Sequence, residues 1–403
     1  MERNATPSGN RVHIGVFGLR NAGKSSVMNA ITGQNASIVS EIKGATTDPV
    51  SKAMELLPAG PVVITDTPGL DDEGPLGEER MRRALRVLDR TDVAVLVVDA
   101  AAGLAPEDRA FQQKAAEKGV ALLTVYNKCD LHSVPALAEN ELAVSARTGE
   151  GIVALKERLA ALAQRQEGEK KLLADLLAPG DMVVLVTPID ASAPKGRIIL
   201  PQVQAIRDIL DAHAMCAIAQ PEELPAALAG LAAPPRLVVT DSQAFGRVKQ
   251  IVPEAVPLTS FSILFARFKG VLETAVRGAA ALERLRDGDR VLIAEGCTHH
   301  RQCEDIGTVK LPGWIRAHTG KTLEFAFTSG GEFPEALSGY SLVVHCGGCM
   351  LNEREMRARQ QRAVDAGVPY TNYGTIIAYM NGILRRSLSP FPQAESWLNG
   401  ANG

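Results

Sequence analysis

The chain has 403 residues, enough for two to four domains of ordinary size. Apolar residues make up 46% and charged residues 22%, which excludes wholesale disorder; aromatics at 4% leave the cores to Ala, Val, Leu and Ile. The formal net charge is −3, with 22 Lys/Arg against 22 Asp/Glu after residue 175, so no large basic footprint for nucleic acid is expected.

Six cysteines in a chain of this length are too sparse for a disulfide framework and point to a reducing, cytoplasmic setting. The opening MERNATPSGN has charges and no apolar core, so no signal peptide is expected. Apolar runs such as 93–98 fall far short of the roughly 18 residues that span a bilayer.

In chain order, β-rich apolar runs at 12–17, 62–65, 93–98, 121–126 and 142–145 alternate with helix-like stretches. That alternation is the pattern of a doubly wound, mainly parallel sheet. A charged helical stretch over 152–177 closes this first domain, 1–175. A second segment, 176–265, restarts with a strand at 182–186, a Pro/Gly/Lys loop, a helix at 201–213 and a strand at 237–240. The third, 266–403, opens with a helix over 270–285. Strands at 290–294, 322–328 and 341–344 follow, then a long helix over 352–366. Its arginines Arg354, Arg357, Arg359 and Arg362 read as a solvated helix face.

The first strand runs straight into Gly18-Leu-Arg-Asn-Ala-Gly23-Lys24-Ser25 and then a helix, the order that a phosphate loop requires. Backbone N–H groups of such a loop surround phosphates, Lys24 brings a point charge to the β/γ oxygens, and the Ser25 hydroxyl can ligate Mg²⁺. Asp66-Thr67-Pro68-Gly69 follows the next strand, placing Asp66 toward Mg²⁺ and the Gly69 N–H near the γ-phosphate. Thr46 stands where a switch threonine would reach the same ion. Asn127-Lys128-Cys129-Asp130 and then Ser145-Ala146 follow later strands. A carboxylate at Asp130 accepts both guanine N1–H and N2–H₂, a donor pair that adenine lacks. These ordered elements define a GTPase. The fold class is therefore α/β in three domains: an N-terminal P-loop GTPase, followed by two smaller α/β domains.

Position 70, where Ras-like proteins carry the water-orienting glutamine, is leucine, so slow intrinsic hydrolysis is expected. The segments GLRNAGKSS (18–26), GATTD (44–48), DTPG, NKCD and SARTGEG (145–151) resemble the MnmE/Era-like GTPases. That resemblance implies GTP contacts from Gly18, Asn21, Ala22, Gly23, Lys24, Ser25, Ser26, Asn127, Lys128, Asp130, Ser145 and Ala146. It also implies that Asn21 helps to bind a stimulating K⁺. Thr47, where those relatives usually carry Arg, is a departure.

Cys297-Thr-His299-His300 follows the expected strand at 290–294, and His345-Cys346-Gly-Gly-Cys349 follows the one at 341–344. Both groups lie at carboxyl ends of strands, where an α/β sheet places ligand sites. If those strands are neighbours, three thiols and at least one imidazole converge. The spacing fits a structural Cys₃His zinc site or a [4Fe–4S] cluster, with a single C-x-x-C leaning toward iron.

A GTPase domain joined to C-x-H-x(45)-H-C-x-x-C, together with the loop DASAPKGRIILPQ (190–202), resembles the HydF family of [FeFe]-hydrogenase maturation GTPases. The resemblance implies that the middle domain forms a homodimer and that Cys297, Cys346 and Cys349 hold a [4Fe–4S] cluster. His299 or His345 stands as the fourth ligand; Cys303 reads as a local loop residue in preference to a ligand, and His300 is assigned no role. It further implies a scaffold or carrier for the diiron precursor of the H-cluster. Its partners would be the apo-hydrogenase and two radical-SAM maturases, with no nucleic acid and no membrane. The rival readings are an RNA- or ribosome-directed GTPase with a structural zinc site, and a redox enzyme using the Cys346/Cys349 pair.

Overall fold

The computed structural model describes residues 7–33, 50–70, 75–134, 136–166, 170–189, 198–297 and 305–399. The chain divides into two compact units, Met1–Glu169 and Lys170–Gly403. Among the described residues no helix is long and apolar enough to cross a membrane.

The first unit is built on six strands: β1 Val12–Phe17, β2 Val50–Leu56, β3 Gly60–Asp66, β4 Val93–Asp99, β5 Ala121–Asn127 and β6 Glu141–Val144. They lie in the order β2-β3-β1-β4-β5-β6, all parallel except β2, which runs against β3. Buried strands such as β4 are apolar on both faces. Val93, Val95 and Val97 pack against the helices α1 (Lys24–Thr32) and α4 (Ile152–Gln166), whereas Ala94, Leu96 and Val98 pack against α2 (Pro75–Asp89) and α3 (Pro106–Glu117). Each such valine contributes roughly 1.5–3 kcal/mol by leaving water. The edge strand β2 escapes sequence reading because VSKAMEL is mostly exposed and has no apolar run.

Helix α4 ends at Gln166, earlier than its charged pattern suggests. Leu172 and Leu173 are instead buried in the core of the second unit, and Asp208 accepts the N–H groups of Leu173 and Ala174 at 2.7 and 2.6 Å. Tertiary burial here overrides helical propensity.

The second unit carries two four-stranded parallel sheets. One, ordered β10-β9-β7-β8, consists of β7 Met182–Val186, β8 Met215–Ala219, β9 Leu237–Thr240 and β10 Leu258–Ser260. The other, ordered β12-β11-β13-β14, consists of β11 Arg290–Ala294, β12 Glu324–Thr328, β13 Leu342–His345 and β14 Tyr370–Asn372. One continuous apolar core runs through both. Polar ties reinforce it: Arg386 donates to the carbonyls of Val252 and Pro253 at 2.8 and 2.7 Å, and Lys249 to that of Asn381 at 2.7 Å. The expected helix over 270–285 is a helix Leu272–Ala279 followed by a 3-10 turn, Ala280–Arg284.

Candidate nucleotide and thiol sites

The turn after β1 lies where the strand order reverses, the position at which open α/β sheets bind ligands. Gly18, Asn21 and Gly23 all have positive φ. A Cβ on Gly23 would stand 2.3 Å from Asn127 Nδ2, so glycine is required for this loop to pack on the base loop. Lys24 opens α1 and folds back, its Nζ donating to the carbonyls of Gly18 and Leu19 at 3.0 and 2.8 Å. Ser26 follows it on the exposed side.

Ser25 Oγ donates to Asp66 Oδ2 at 2.5 Å. Burial pushes the Asp66 carboxyl up, against the Ser25 hydrogen bond and the Lys24 charge. Its Oδ1 is buried with no hydrogen-bond partner among the described residues. A hydroxyl beside a carboxylate with unmet acceptor capacity fits a hard divalent cation such as Mg²⁺. Thr46 lies outside the described residues. Thr67 fixes the turn that carries Gly69, donating to Val16 O from its N–H (3.2 Å) and its hydroxyl (2.8 Å). Leu70 then turns into the apolar cluster around Phe17, Leu88 and Leu96, far from a water-orienting role.

At the end of β5, Asn127 Nδ2 donates to Ala22 O at 2.9 Å and its Oδ1 accepts from the Ala146 N–H at 3.1 Å. One side chain thus joins the phosphate loop to the Ser145-Ala146 loop. Hydrogen bonds from the Ser145 side chain and from Arg147, whose Nε stands 3.1 Å away, hold the Asp130 carboxyl below its ordinary value. Arg147 and Asp99, which pairs with Lys128 at 2.6 Å, were not singled out from the sequence. Their signal was slight: a single charge at the end of β4 and another three residues past β6.

In the second unit β11 and β13 are neighbours, with Ala294 opposite His345, and the sheet order reverses between them. Cys297 and Cys346 therefore follow adjacent strand ends at a switch point. Cys346 Sγ accepts the N–H of Gly296 at 3.1 Å and that of Gly348 at 3.4 Å. Gly348 has φ +66, and a Cβ there would lie 2.4 Å from Met356 Sδ, so the turn wraps tightly. Burial pushes the Cys346 thiol up; burial and then the neighbouring Cys346 push Cys349 up to about 12. Among the described residues no disulfide forms, and no three Cys, His, Asp or Glu side chains stand together as a metal-holding group. His299, His300 and Cys303 lie outside those residues. The donor chemistry does fit a sulfur-rich metal group: amides aimed at a thiol sulfur, and a buried Tyr370 hydroxyl with no partner among the described residues.

His345 is fully buried. Its Nδ1 lies 2.8 Å from Cys346 O and its Nε2 3.2 Å from Arg359 Nη1. Burial, then the Arg359 charge, push it down to about 3, so the ring is neutral, donating from Nδ1 and accepting at Nε2. Both nitrogens are engaged by protein groups. Arg359 departs from the expected solvated face. It is 0% exposed, pairs with Glu355 at 2.8 Å and donates to Gly330 O at 2.6 Å. The reason is geometric: Met356, Arg359 and Ala363 form the buried stripe of the helix Glu353–Asp365.

Comparison with known proteins divides along the same line. Residues 13–128 match the family described as 50S ribosome-binding GTPase. Residues 172–270 match the hydrogen maturase F dimerization domain, and residues 273–390 its tetramerization domain. The chain belongs to the hydrogen maturase F (HydF) family. The similarity to curated relatives lies in the GTPase part of this HydF-family chain. It is 40% identical over 154 residues to a tRNA modification GTPase MnmE of Xanthomonas euvesicatoria, covering 38% of this chain and 34% of that one. It is 34% identical over 123 residues to the GTPase Der of Kosmotoga olearia, covering 29% and 28%. The chain thus spans about a third of the length of these relatives. Solved structures that it resembles include Aquifex aeolicus Era bound to GDP.AlF4- (18% identity, TM-score 0.33, 52% of this chain and 93% of that one). Another is the G domain of T. maritima FeoB, at 24% identity and TM-score 0.31, covering 38% and 100%.

Proposed function

We propose that the chain hydrolyses GTP and binds a [4Fe–4S] cluster, serving as scaffold and carrier that delivers the diiron precursor of the [FeFe]-hydrogenase H-cluster to the apo-hydrogenase. The observation that carries this reading is a conjunction within one HydF-family chain. A phosphate loop and a base loop are joined through Asn127, and Cys297 and Cys346 follow adjacent strand ends of another sheet.

In the GTP-binding domain, 1–175, Gly18 through Ser26 cradle the phosphates, and Asn127, Lys128, Asp130, Ser145 and Ala146 receive the guanine. Lys24 and the Gly69 N–H answer the γ-phosphate charge; Ser25, Thr46 and Asp66 would hold Mg²⁺. Mg²⁺ bound there neutralises charge developing on the transferred phosphoryl group. With Leu70 in the core, turnover is slow, and Asn21 contributes to a K⁺ site that stimulates it.

The segment 176–265 is the dimerisation domain. Support comes from β8, a sheet edge among the described residues, with Met215 and Ile218 about half exposed, and from Val203 and Leu210, also exposed, on the helix Leu200–Asp211. In 266–403, Cys297, Cys346 and Cys349 would hold the cluster. Because His345 is engaged on both nitrogens, the fourth position falls to His299 or stays open to the cargo. The partners are the apo-hydrogenase and the two radical-SAM maturases, and nucleotide state tunes affinity for a maturase.

Anaerobic purification with iron, sulfide and zinc analysis and an absorption spectrum tests the reading. Iron and sulfide in equal amounts with broad visible absorption are expected. A colourless zinc protein that binds RNA with a steep salt dependence would replace it with the RNA-directed reading.

A further inference from the structure

We propose that Asp99 is a positioning residue for the guanine nucleotide: it fixes the Lys128 ammonium so that this one group ties the base loop to the phosphate loop. The inference rests on the guanine-nucleotide reading of the first unit. Strands β4 and β5 end together, with Asp99 opposite Asn127 in the register, so Lys128 leaves its strand end directly beside the carboxylate. Asp99 Oδ2 takes Lys128 Nζ at 2.6 Å, while Oδ1 accepts the Ala101 N–H at 2.9 Å. Both carboxylate oxygens are committed, so the group has a single orientation.

From that position Lys128 Nζ also donates to the carbonyl of Asn21 at 2.9 Å. Among the described residues, only Asn21, Lys128 and His213 have positive φ without being glycine. Two of the three are therefore joined by this single hydrogen bond. Left-handed backbone at such residues persists only where its surroundings hold it. Here the holder is a charge-assisted bond anchored on Asp99. Burial works to raise the Asp99 carboxyl, but the bonds from Lys128 and Ala101 and the Lys128 charge keep it below its ordinary value, so it is ionised at neutral pH. Loss of that charge frees the ammonium and releases both strained residues, one in each loop that the nucleotide must bridge.

The test is GDP titration and steady-state GTP turnover on the full chain carrying Asp99→Asn. The GDP Kd is expected to rise about tenfold, the size of one charge-assisted hydrogen bond. The KM for GTP rises with it, while kcat at saturation stays within about twofold, because no reacting atom is touched. The melting temperature of the nucleotide-free protein falls only slightly, because the Asp99–Lys128 pair is partly exposed. Adding Asp99→Asn to Lys128→Met is expected to cost nothing further, since the carboxylate acts only through the ammonium. Unchanged GDP affinity in the folded variant overturns the proposal, as do strictly additive effects in the double variant. A lowered melting temperature without a KM change also overturns it, leaving Asp99 a fold-stabilising residue. A wild-type chain that binds no GDP would instead remove the underlying nucleotide reading.

Discussion

The candidate nucleotide and thiol sites occupy equivalent places, each at the carboxyl ends of parallel strands where the strand order reverses. They are prepared in opposite ways. Around the phosphate loop, charged and polar side chains already hold one another or the loop backbone: Ser25 on Asp66, Asn127 on the Ala22 carbonyl and the Ala146 N–H, Lys128 between the Asp99 carboxylate and the Asn21 carbonyl. Around Cys346 the preparation is made by backbone amides and by side chains kept neutral through burial, with the buried Arg359 charge standing behind His345. Amides aim at the sulfur, His345 is held uncharged, and the thiols are kept protonated by burial. A nucleotide brings its own negative charge to a site of waiting donors. A metal group must displace protons from its ligands, so its site can be built only in part before it arrives.

This contrast predicts that each site can be broken without the other. The largest effect is expected for Lys24→Ala, which should lower GTP turnover by roughly 10²–10³-fold, the usual loss for a donor aimed at developing charge. Iron content should not change, as elemental analysis would show. If that variant still supported hydrogenase maturation at the wild-type rate, the proposed coupling of nucleotide state to partner affinity would fail. Cys346→Ala should lower bound iron and sulfide about tenfold or more, with GTP turnover within about twofold of wild type. Retention of the visible spectrum in this variant would remove Cys346 from the ligand set. Exchange of KCl for NaCl should slow hydrolysis about tenfold if K⁺ at Asn21 takes the place of an arginine finger; equal rates in the two salts would dismiss that role.

The smallest effect concerns His345 in the metal-free protein. Its folded value near 3 lies below the ordinary 6.5, so the unfolded chain binds the extra proton between those limits. Stability from this group is full above about pH 6.5 and falls as the pH drops toward 3, by at most ~1.4 kcal/mol per pH unit. His345→Gln should flatten that acid branch in denaturant titrations. An unchanged slope would mean that the imidazole is not the neutral connector between Arg359 and the Cys346 carbonyl.

The motifs of the candidate nucleotide site are legible in the sequence, because their geometry is local. A strand, a glycine turn and a helix N-terminus follow one another within about twenty residues, and the β-rich runs before each motif are strongly apolar. The thiol site was legible in its cysteines but not in its frame. That Cys297 and Cys346 follow neighbouring strand ends depends on the pairing of β11 with β13 across some fifty residues. Strands β10 and β14 are only three residues long and leave no run to read, while β8 and β2 lack a buried apolar run because most of their side chains are partly or fully exposed. Arg359 shows the limit most plainly. Its helical spacing among acids and glutamines reads as solvent-facing, and only the sheet against which that face packs turns it into a buried support for His345.

The sequence by itself determined the α/β class, the phosphate and guanine motifs, the leucine in place of a water-orienting glutamine, and the set of thiols. These follow from residue type and short-range order, which propensity and hydrogen-bonding rules govern directly. Tertiary structure alone decided that two sheets of the second unit share one core, that His345 is occupied on both nitrogens, and that Asp99 reaches Lys128 and, through it, Asn21. Those outcomes depend on which strands become neighbours. That choice is made by burying apolar faces against partners distant in the chain.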